Sequence, residues 1–235
     1  MAAINAWLET RQAEIKPAGR PLVTLSYAQS VDGCLTDQIG RSYPLSGPET
    51  HKMTHELRAR HDAILVGIGT VLVDNPHLTV RHAKGPDPRP VVLDSHLRIP
   101  LDCRLLERSE NLPWVACGPN VDEEKYNQLV DRNVILLTCK LNECNQVELL
   151  DLLYQLYENG IRSLMVEGGA AVVTSFIESR LVDLAVITIA PIWLGGLHAL
   201  KSGTLPGCPM TLENPNSVRM GKDLVLWGQV RYGEA

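Results

Sequence analysis

The chain has 235 residues, a formal net charge of −5 and a hydrophobic fraction of 45%. This length suffices for one large domain or two small ones with a substantial core. A mildly acidic chain is a poor match to a nucleic-acid binder, and the single phenylalanine, Phe176, argues against a stacking surface for single strands. We therefore expect no nucleic-acid partner.

No stretch approaches the roughly 20 apolar residues of a membrane helix, and the N-terminus lacks the features of a secretory signal. We expect no membrane partner and a cytoplasmic protein. Residues 1–20 are predicted to form an N-terminal helical extension, and residues 21–235 a single domain. The six cysteines include no C-x-x-C pair, so free buried thiols are expected and a zinc nucleobase deaminase is excluded.

Strand-like and helix-like runs alternate along the chain. After the N-terminal helix, strands are predicted over 21–27, 62–68, 90–93, 114–117, 134–138, 163–166 and 182–190, and helices over 48–60, 121–130, 146–159 and 170–179. The segments Val218–Met220 and Leu224–Tyr232 are predicted to pair as an antiparallel hairpin. The pattern predicts an α/β fold, with a mostly parallel central sheet flanked by helices and an antiparallel C-terminal hairpin.

The clearest local signal is Glu167-Gly168-Gly169, which follows a predicted strand and leads into a helix through Ala170 and Ala171. Ligands of open α/β sheets bind at the carboxyl ends of strands. Two glycines would let a phosphate approach the backbone there, and the helix N-terminus would supply unpaired N–H groups. A tight turn with a surface carboxylate explains the motif equally well.

A second glycine-containing segment runs from Gly67 through Thr70 to Asp74, again directly after a strand. Thr70 and Asp74 are one helical turn apart and could share a face. By spacing alone, a helix N-cap at Thr70 and a turn at Asp74 before Pro76 are favoured.

Arginines and histidines surround the first predicted helix of the domain. Arg58 and Arg81 could bind a phosphate through bidentate contacts, although each alone indicates a surface residue. His51 and His55 have the i, i+4 spacing of metal ligands. Because no carboxylate completes a zinc-type site, surface histidines are favoured and no metal is expected.

Taken together, several segments resemble the reductase domain of riboflavin biosynthesis, a dihydrofolate-reductase-like domain often fused behind a pyrimidine deaminase. The resemblance extends from about residue 21 to about residue 232. The segments that carry it, in the family's order, are 30–33, 57–59, 62–71, 74–81, 91–95, 166–169 and 181–183 followed by 189–191 and 194–196.

The resemblance implies a dihydrofolate-reductase-like fold and an NADPH-dependent reaction. The family reduces the ribosylamino side chain of a phosphorylated aminopyrimidine to a ribitylamino chain, by ring opening to an imine and hydride transfer to ribose C1′. It also implies a homodimer. Since 235 residues without a zinc motif leave no room for the deaminase, we expect that enzyme to be a separate polypeptide.

The resemblance also implies residue roles. Asp74 and Glu167 are the candidate catalytic groups, with Asp74 favoured for proton transfer. The cofactor-binding set is Ala28, Pro44, Thr70, Asp74, Ser95, Gly168, Gly169, Ala170 and Ala171. The substrate-binding set is Ser42, Arg58, Leu78, Arg81 and Glu167, with the two arginines on the 5′-phosphate.

Two positions depart from the family pattern. Ser26 stands where many bacterial members have lysine, and Pro44 where a bulky aromatic is frequent. These departures leave open whether the pyrimidine is deaminated or still aminated. The Ser26 departure also leaves room for a related NADPH reductase acting on a dihydropterin or a specialised metabolite. A third hypothesis is a catalytically inactive paralogue that acts as a binding or scaffolding subunit for the deaminase.

Overall fold

The computed structural model describes residues 2–201 and 209–233. The helices are α1 (Ala2–Glu14), α2 (Pro48–Arg58), α3 (Ile68–Asp74), α4 (Glu123–Val130), α5 (Leu149–Glu158) and α6 (Ala170–Glu178). The strands are β1 (Leu22–Ser30), β2 (Cys34–Thr36), β3 (Ala63–Gly67), β4 (Arg89–Leu93), β5 (Trp114–Cys117), β6 (Ile135–Thr138), β7 (Ser163–Val166), β8 (Leu184–Ala190), β9 (Leu197–His198), β10 (Met210–Met220) and β11 (Asp223–Tyr232).

Nine strands form one sheet in the order β10-β11-β8-β1-β7-β3-β4-β5-β6. The seven strands from β8 to β6 are parallel to their neighbours. The hairpin of β10 and β11 adds to β8 in the antiparallel sense. The predicted α/β architecture, with a mostly parallel sheet and an antiparallel C-terminal hairpin, is confirmed.

The centre of the sheet is buried on both faces, as the continuous apolar run of β3 predicts. All five β3 residues are buried, and alternate ones face opposite sides. Ala63 and Leu65 pack in the cluster that contains α5 and α6 side chains, whereas Ile64 and Val66 pack with Leu129 of α4.

Helix α1 packs onto this core through its buried residues. Ile4 and Leu8 join the cluster that contains Met53 and Leu57 of α2. The boundary predicted at residue 20 stays a prediction, but the helix before it shares a core cluster with the domain.

Several local predictions need correction. The segment after β3 is a seven-residue helix, α3, whose N-cap is Gly67, so the N-cap predicted at Thr70 is wrong. Strand β10 begins at Met210, eight residues before the predicted start, and the short strands β2 and β9 were not predicted. Their two or three residues are too few to show a periodicity.

The cysteines are partly as expected. Four of the five in the described segments are buried free thiols, but Cys144 is exposed and the prediction is wrong there. Cys208 lies outside the described residues. Across residues 2–201 and 209–233, no helix has both the length and the apolar character needed to cross a membrane.

Candidate active site

A notch in the carboxyl edge of the sheet forms the centre of the candidate site. Strand β7 ends at Val166, which pairs with Leu25 of β1 on one side and Leu65 of β3 on the other. Strand β1 continues to Ser30 and β3 continues to Gly67. The end of β7 is therefore flanked by two longer strands, in the position where open α/β sheets bind ligands.

Glycines shape the floor of this notch. A Cβ added at Gly67 would lie 2.7 Å from the Val172 side chain, and one at Gly168 would collide with the same valine. Neither position can carry a side chain while α6 packs this close. Gly169, the N-cap of α6, has nothing within 4 Å of such a Cβ. The α6 N-terminus is thus open to a ligand, as a phosphate cradle requires.

Arg58 and Glu167 meet across the notch in a bidentate ion pair. Arg58 Nε donates to Glu167 Oε1 at 2.8 Å, and Nη2 donates to Oε2 at 2.6 Å. Burial alone would lower the pKa of Arg58, but the Glu167 carboxylate outweighs it and the pKa is raised. Both oxygens of Glu167 are thereby committed to holding the guanidinium.

Thr79 joins the two predicted phosphate-binding arginines. Its carbonyl accepts from Arg58 Nη1 at 3.2 Å, and its hydroxyl accepts from Arg81 Nη1 at 3.2 Å. The Arg81 side chain is exposed. The structure therefore brings both guanidiniums to Thr79. Thr79 was not among the site residues predicted from the sequence.

Thr70 and Asp74 lie on α3, at the third and the last residue of the helix. Their spacing places them on one helical face. Asp74 is exposed and, within the described chain, its carboxylate makes no hydrogen bond or ion pair. Its carboxylate is therefore available to a ligand, whereas that of Glu167 is occupied.

The other predicted cofactor-binding residues are more dispersed. Ala28 lies in the part of β1 that extends beyond β7 and is half-buried. Ser95 follows β4 at the same sheet edge, and its hydroxyl accepts from the Val147 N–H at 2.9 Å. Pro44 is exposed between β2 and α2. No hydrogen bond or ion pair in the described ranges links Pro44 to the notch.

The remaining substrate-binding predictions fall in two places. Ser42 is exposed on the same segment as Pro44, and no hydrogen bond in the described ranges links it to Arg58 or Arg81. Leu78 is 3% exposed, with a φ of +52°, and its side chain packs in the cluster around α3 and α4. Ser26, which replaces the lysine of many relatives, is buried in β1.

Asp32 of the Ser-x-Asp-Gly motif has a structural role. Its carboxylate accepts hydrogen bonds from the Ser30 hydroxyl and from the N–H groups of Leu194 and Gly195. These bonds, the Ser30 bond foremost, lower the pKa of Asp32. The motif thus fixes the loop after β8 beside the end of β1.

The histidines differ most from expectation. His55 is wholly buried, so the prediction of a surface histidine is wrong there. It lies in a cluster with His51 and His82, which are exposed. Burial, followed by the charge of Arg58, lowers the pKa of His55 to about 4, and burial followed by His82 lowers that of His51. The predicted absence of a metal is not tested.

Known proteins resemble this chain in fold and in sequence. The fold is dihydrofolate-reductase-like: a dihydrofolate reductase of Enterococcus faecalis complexed with NADP(H) superposes with a TM-score of 0.50 at 14% identity, covering 92% of this chain and 99% of that one. The RibD C-terminal domain family matches residues 21–226. The chain belongs to this family, that of the reductases of riboflavin biosynthesis.

Individual relatives agree with this assignment. The 2,5-diamino-6-ribosylamino-4(3H)-pyrimidinone 5′-phosphate reductase of Archaeoglobus fulgidus is 39% identical over 187 residues, 75% of this chain and 83% of that protein. The riboflavin biosynthesis protein RibD of Actinobacillus pleuropneumoniae is 36% identical over 180 residues, 77% of this chain but 48% of that protein. The chain thus spans about half the length of that RibD.

Two solved structures resemble the whole domain. The riboflavin biosynthesis reductase Rib7 of Saccharomyces cerevisiae superposes with a TM-score of 0.73 at 31% identity, covering 93% of this chain and 94% of that one. A diaminohydroxyphosphoribosylaminopyrimidine deaminase/5-amino-6-(5-phosphoribosylamino)uracil reductase of Thermotoga maritima gives 0.66 at 27% identity, covering 89% and 56%.

Proposed function

We propose that this protein uses NADPH to reduce the ribosylamino side chain of a phosphorylated aminopyrimidine to a ribitylamino chain. The observation that carries the proposal is the notch itself, where an open helix N-terminus lies on the same sheet edge as two arginines held together by Thr79. One half suits a cofactor pyrophosphate and the other a substrate phosphate.

The residues of the notch fit a dinucleotide. Gly169 leaves space above the first turn of α6, where backbone N–H groups and the helix dipole favour a pyrophosphate. Thr70, Ala28 and Ser95 lie on strand ends or the adjoining helix along the same edge. When bound, NADPH supplies the hydride.

On the substrate side, the arginines bind and orient. Arg81 is exposed and donates a hydrogen bond to the Thr79 hydroxyl, and the rest of its guanidinium can contact a phosphate directly. Arg58 is fixed by Glu167 and cannot swing away. A pre-oriented pair of guanidiniums holds a phosphate with little loss of side-chain entropy on binding.

Asp74 is the proposed proton-transfer residue. Opening the ribose ring requires a group that donates a proton to the ring oxygen, and an acid or base at the site supplies or accepts protons during the reaction. Among the two candidate carboxylates, Glu167 is bound to Arg58 through both oxygens, whereas Asp74 has no partner within residues 2–201 and 209–233. Glu167 is proposed to act as a positioning residue for Arg58.

Activity with two pyrimidines tests the proposal. Purified protein is mixed with NADPH or NADH and with either the 2,5-diamino pyrimidinone or the deaminated uracil, each as its ribosylamino 5′-phosphate. We expect NADPH to be oxidised faster with the 2,5-diamino form than with the uracil form. The relative from Archaeoglobus fulgidus is named as a reductase of the 2,5-diamino pyrimidinone. Turnover of dihydrofolate with neither pyrimidine phosphate reduced would refute the proposal.

A binding measurement separates this function from that of an inactive paralogue. A ligand that binds only the folded state raises its melting temperature. We expect NADPH at a hundred times its Kd to stabilise the protein by about 2.7 kcal/mol. An unchanged melting temperature at millimolar NADPH, together with no turnover, would favour the inactive paralogue.

A further inference from the structure

Three imidazole rings form a compact cluster between α2 and the segment that follows Arg81. The ring centroids of His51 and His55 are 5.0 Å apart, those of His55 and His82 4.8 Å, and those of His51 and His82 5.1 Å. His51 and His82 are exposed, whereas His55 is wholly buried beneath them. The residue roles that the resemblance implies involve none of the three.

The buried member has a defined proton position. His55 Nδ1 accepts the backbone N–H of Arg81 at 3.1 Å, so in the neutral ring the proton is on Nε2. That Nε2 is buried without a hydrogen-bond partner in the described structure, while the ring meets both neighbouring imidazoles edge-on at 84°. His55 therefore supports the two exposed rings and fixes the backbone of Arg81.

A cation site fits this arrangement poorly. One ring nitrogen from each histidine lies within 4.8 Å of the other two, and a bound divalent metal could draw the three nitrogens closer together. To use Nε2 of His55, however, the metal would have to displace its proton while Nδ1 still accepts from Arg81. Two guanidiniums are also close enough to contribute to the lowered pKa values of His51 and His55.

An anion fits the surrounding charges. The charged groups that act on His51 are Arg58 of the same helix, Arg81 and His82 of the next segment, and Glu167 after β7. Glu167 is the only carboxylate among them, and it is already bound to Arg58 through both oxygens. The cluster therefore lies in a region with excess positive charge, which suits an anion.

We propose that His51 and His82 complete a phosphate-binding subsite with Arg81 and Arg58, donating N–H groups to the phosphate oxygens of the substrate, while His55 acts as a positioning residue. The inference rests on the proposed function, because it takes the ligand to be the 5′-phosphate of that substrate. A dianion beside the rings favours their protonated form. Binding is therefore accompanied by proton uptake.

Proton NMR of the histidine ring C–H groups tests the subsite without requiring turnover. The pKa values of His51 and His82, assigned from the variants His51→Gln and His82→Gln, are followed in the free protein and with ribose 5-phosphate, inorganic phosphate or ribose. We expect both pKa values to rise with ribose 5-phosphate and to stay unchanged with ribose. Each variant should weaken ribose 5-phosphate binding about threefold to tenfold.

The control is His198→Gln, which removes an exposed histidine outside the cluster and should leave phosphate binding unchanged. Unmoved pKa values of His51 and His82 with ribose 5-phosphate would overturn the proposal. The proposal would also be overturned if the pKa values rose with inorganic phosphate but not with ribose 5-phosphate. One-to-one Zn²⁺ binding that is lost in His51→Gln, with no pKa change on adding either phosphate, would overturn it too.

The result also separates this inference from the proposed function. If the pKa values rise but neither pyrimidine is reduced, the phosphate subsite is supported and the proposed reaction fails. If a pyrimidine is reduced while the pKa values do not move, the reaction stands and the subsite is refuted.

Discussion

Arg58 and Glu167, which are 109 residues apart in the sequence, hold each other in a bidentate ion pair at the end of β7. Their side chains are 13% and 16% exposed, so the pair is shielded from most solvent screening. The resemblance implies that each touches substrate. The structure adds that one fixes the other. This contact supports the proposed roles of Arg58 as a phosphate ligand and of Glu167 as its positioning residue.

Glu167→Gln should therefore lower both stability and substrate affinity. Removing the charge leaves a largely buried guanidinium unpaired, and we expect a loss of about 1–3 kcal/mol in the free energy of unfolding. KM should rise more than kcat falls. Urea unfolding and steady-state kinetics measure the two effects.

A second bidentate pair provides the control. Arg20 and Asp183 bind each other at 2.7 Å in both contacts, with side chains 19% and 14% exposed. Asp183→Asn should cost comparable stability and leave KM unchanged. If Glu167→Gln and Asp183→Asn have the same kinetic effect, Glu167 has no specific role at the site.

Gly169→Val should block cofactor binding without unfolding the protein. The added side chain points into the open space above α6, where the pyrophosphate is proposed to lie. We expect the Kd for NADPH to rise at least about tenfold, with the melting temperature of the free protein nearly unchanged. Gly168→Ala should instead lower the melting temperature of the free protein, because its Cβ collides with Val172 and disturbs packing. Normal NADPH affinity in Gly169→Val would refute the assigned cradle.

Arg81→Ala should raise KM about tenfold to a hundredfold and leave kcat nearly unchanged. The guanidinium binds a part of the substrate remote from the hydride, and such binding is retained equally in the ground and transition states. Arg219→Ala removes an exposed arginine near the β10–β11 turn and is the control. A fall in kcat alone would place Arg81 at the reacting centre instead.

Asp74→Asn should lower kcat by about 10²–10⁴-fold, the usual contribution of a general acid or base. The asparagine keeps the size of the side chain at the end of α3, so the melting temperature should not change. An exposed aspartate elsewhere, Asp102, provides the control as Asp102→Asn. Unchanged kcat in Asp74→Asn would transfer the proton role to another group.

His61 should make the protein sensitive to mild acid. Its Nδ1 is 2.7 Å from the Leu57 carbonyl and its Nε2 is 2.9 Å from the Thr24 hydroxyl, which ties the end of α2 to β1. Burial lowers the pKa of His61 from 6.5 to about 4. The unfolded chain therefore binds a proton first, and stability present above pH 6.5 is lost as the pH falls toward 4.

The full lowering of the His61 pKa corresponds to a change of about 3 kcal/mol in the free energy of unfolding. Urea unfolding measured across this pH range should show a shallower dependence in His61→Gln than in the wild type. The variant will be less stable at neutral pH, but the difference between the two slopes reports the titration of His61. An identical slope would show that His61 does not titrate as its burial implies.

Much of the fold follows from local patterns. The run Asp62–Ile68 indicated a strand buried on both faces, and β3 is one. The helix predicted over 146–159 and closed by Gly160 forms as α5, followed by Gly160 at a φ of +89°. Short elements were among the failures: α3, β2 and β9 span too few residues for a period to show, and their structure depends on neighbours rather than on propensity. The long strand β10 was predicted only in its last three residues, 218–220.

Local patterns predicted the alternation of strands and helices, the glycine turns at strand ends and the residue types that suit phosphate and proton chemistry. Those features depend on neighbours along the chain. Which of these residues act together is set by the fold: Glu167 binds Arg58, Thr79 joins Arg58 to Arg81, and His55 is buried beneath two exposed histidines. The reason is physical, because parallel strands bring residues distant in sequence to one sheet edge, and partners and burial are set there by packing that no local pattern encodes.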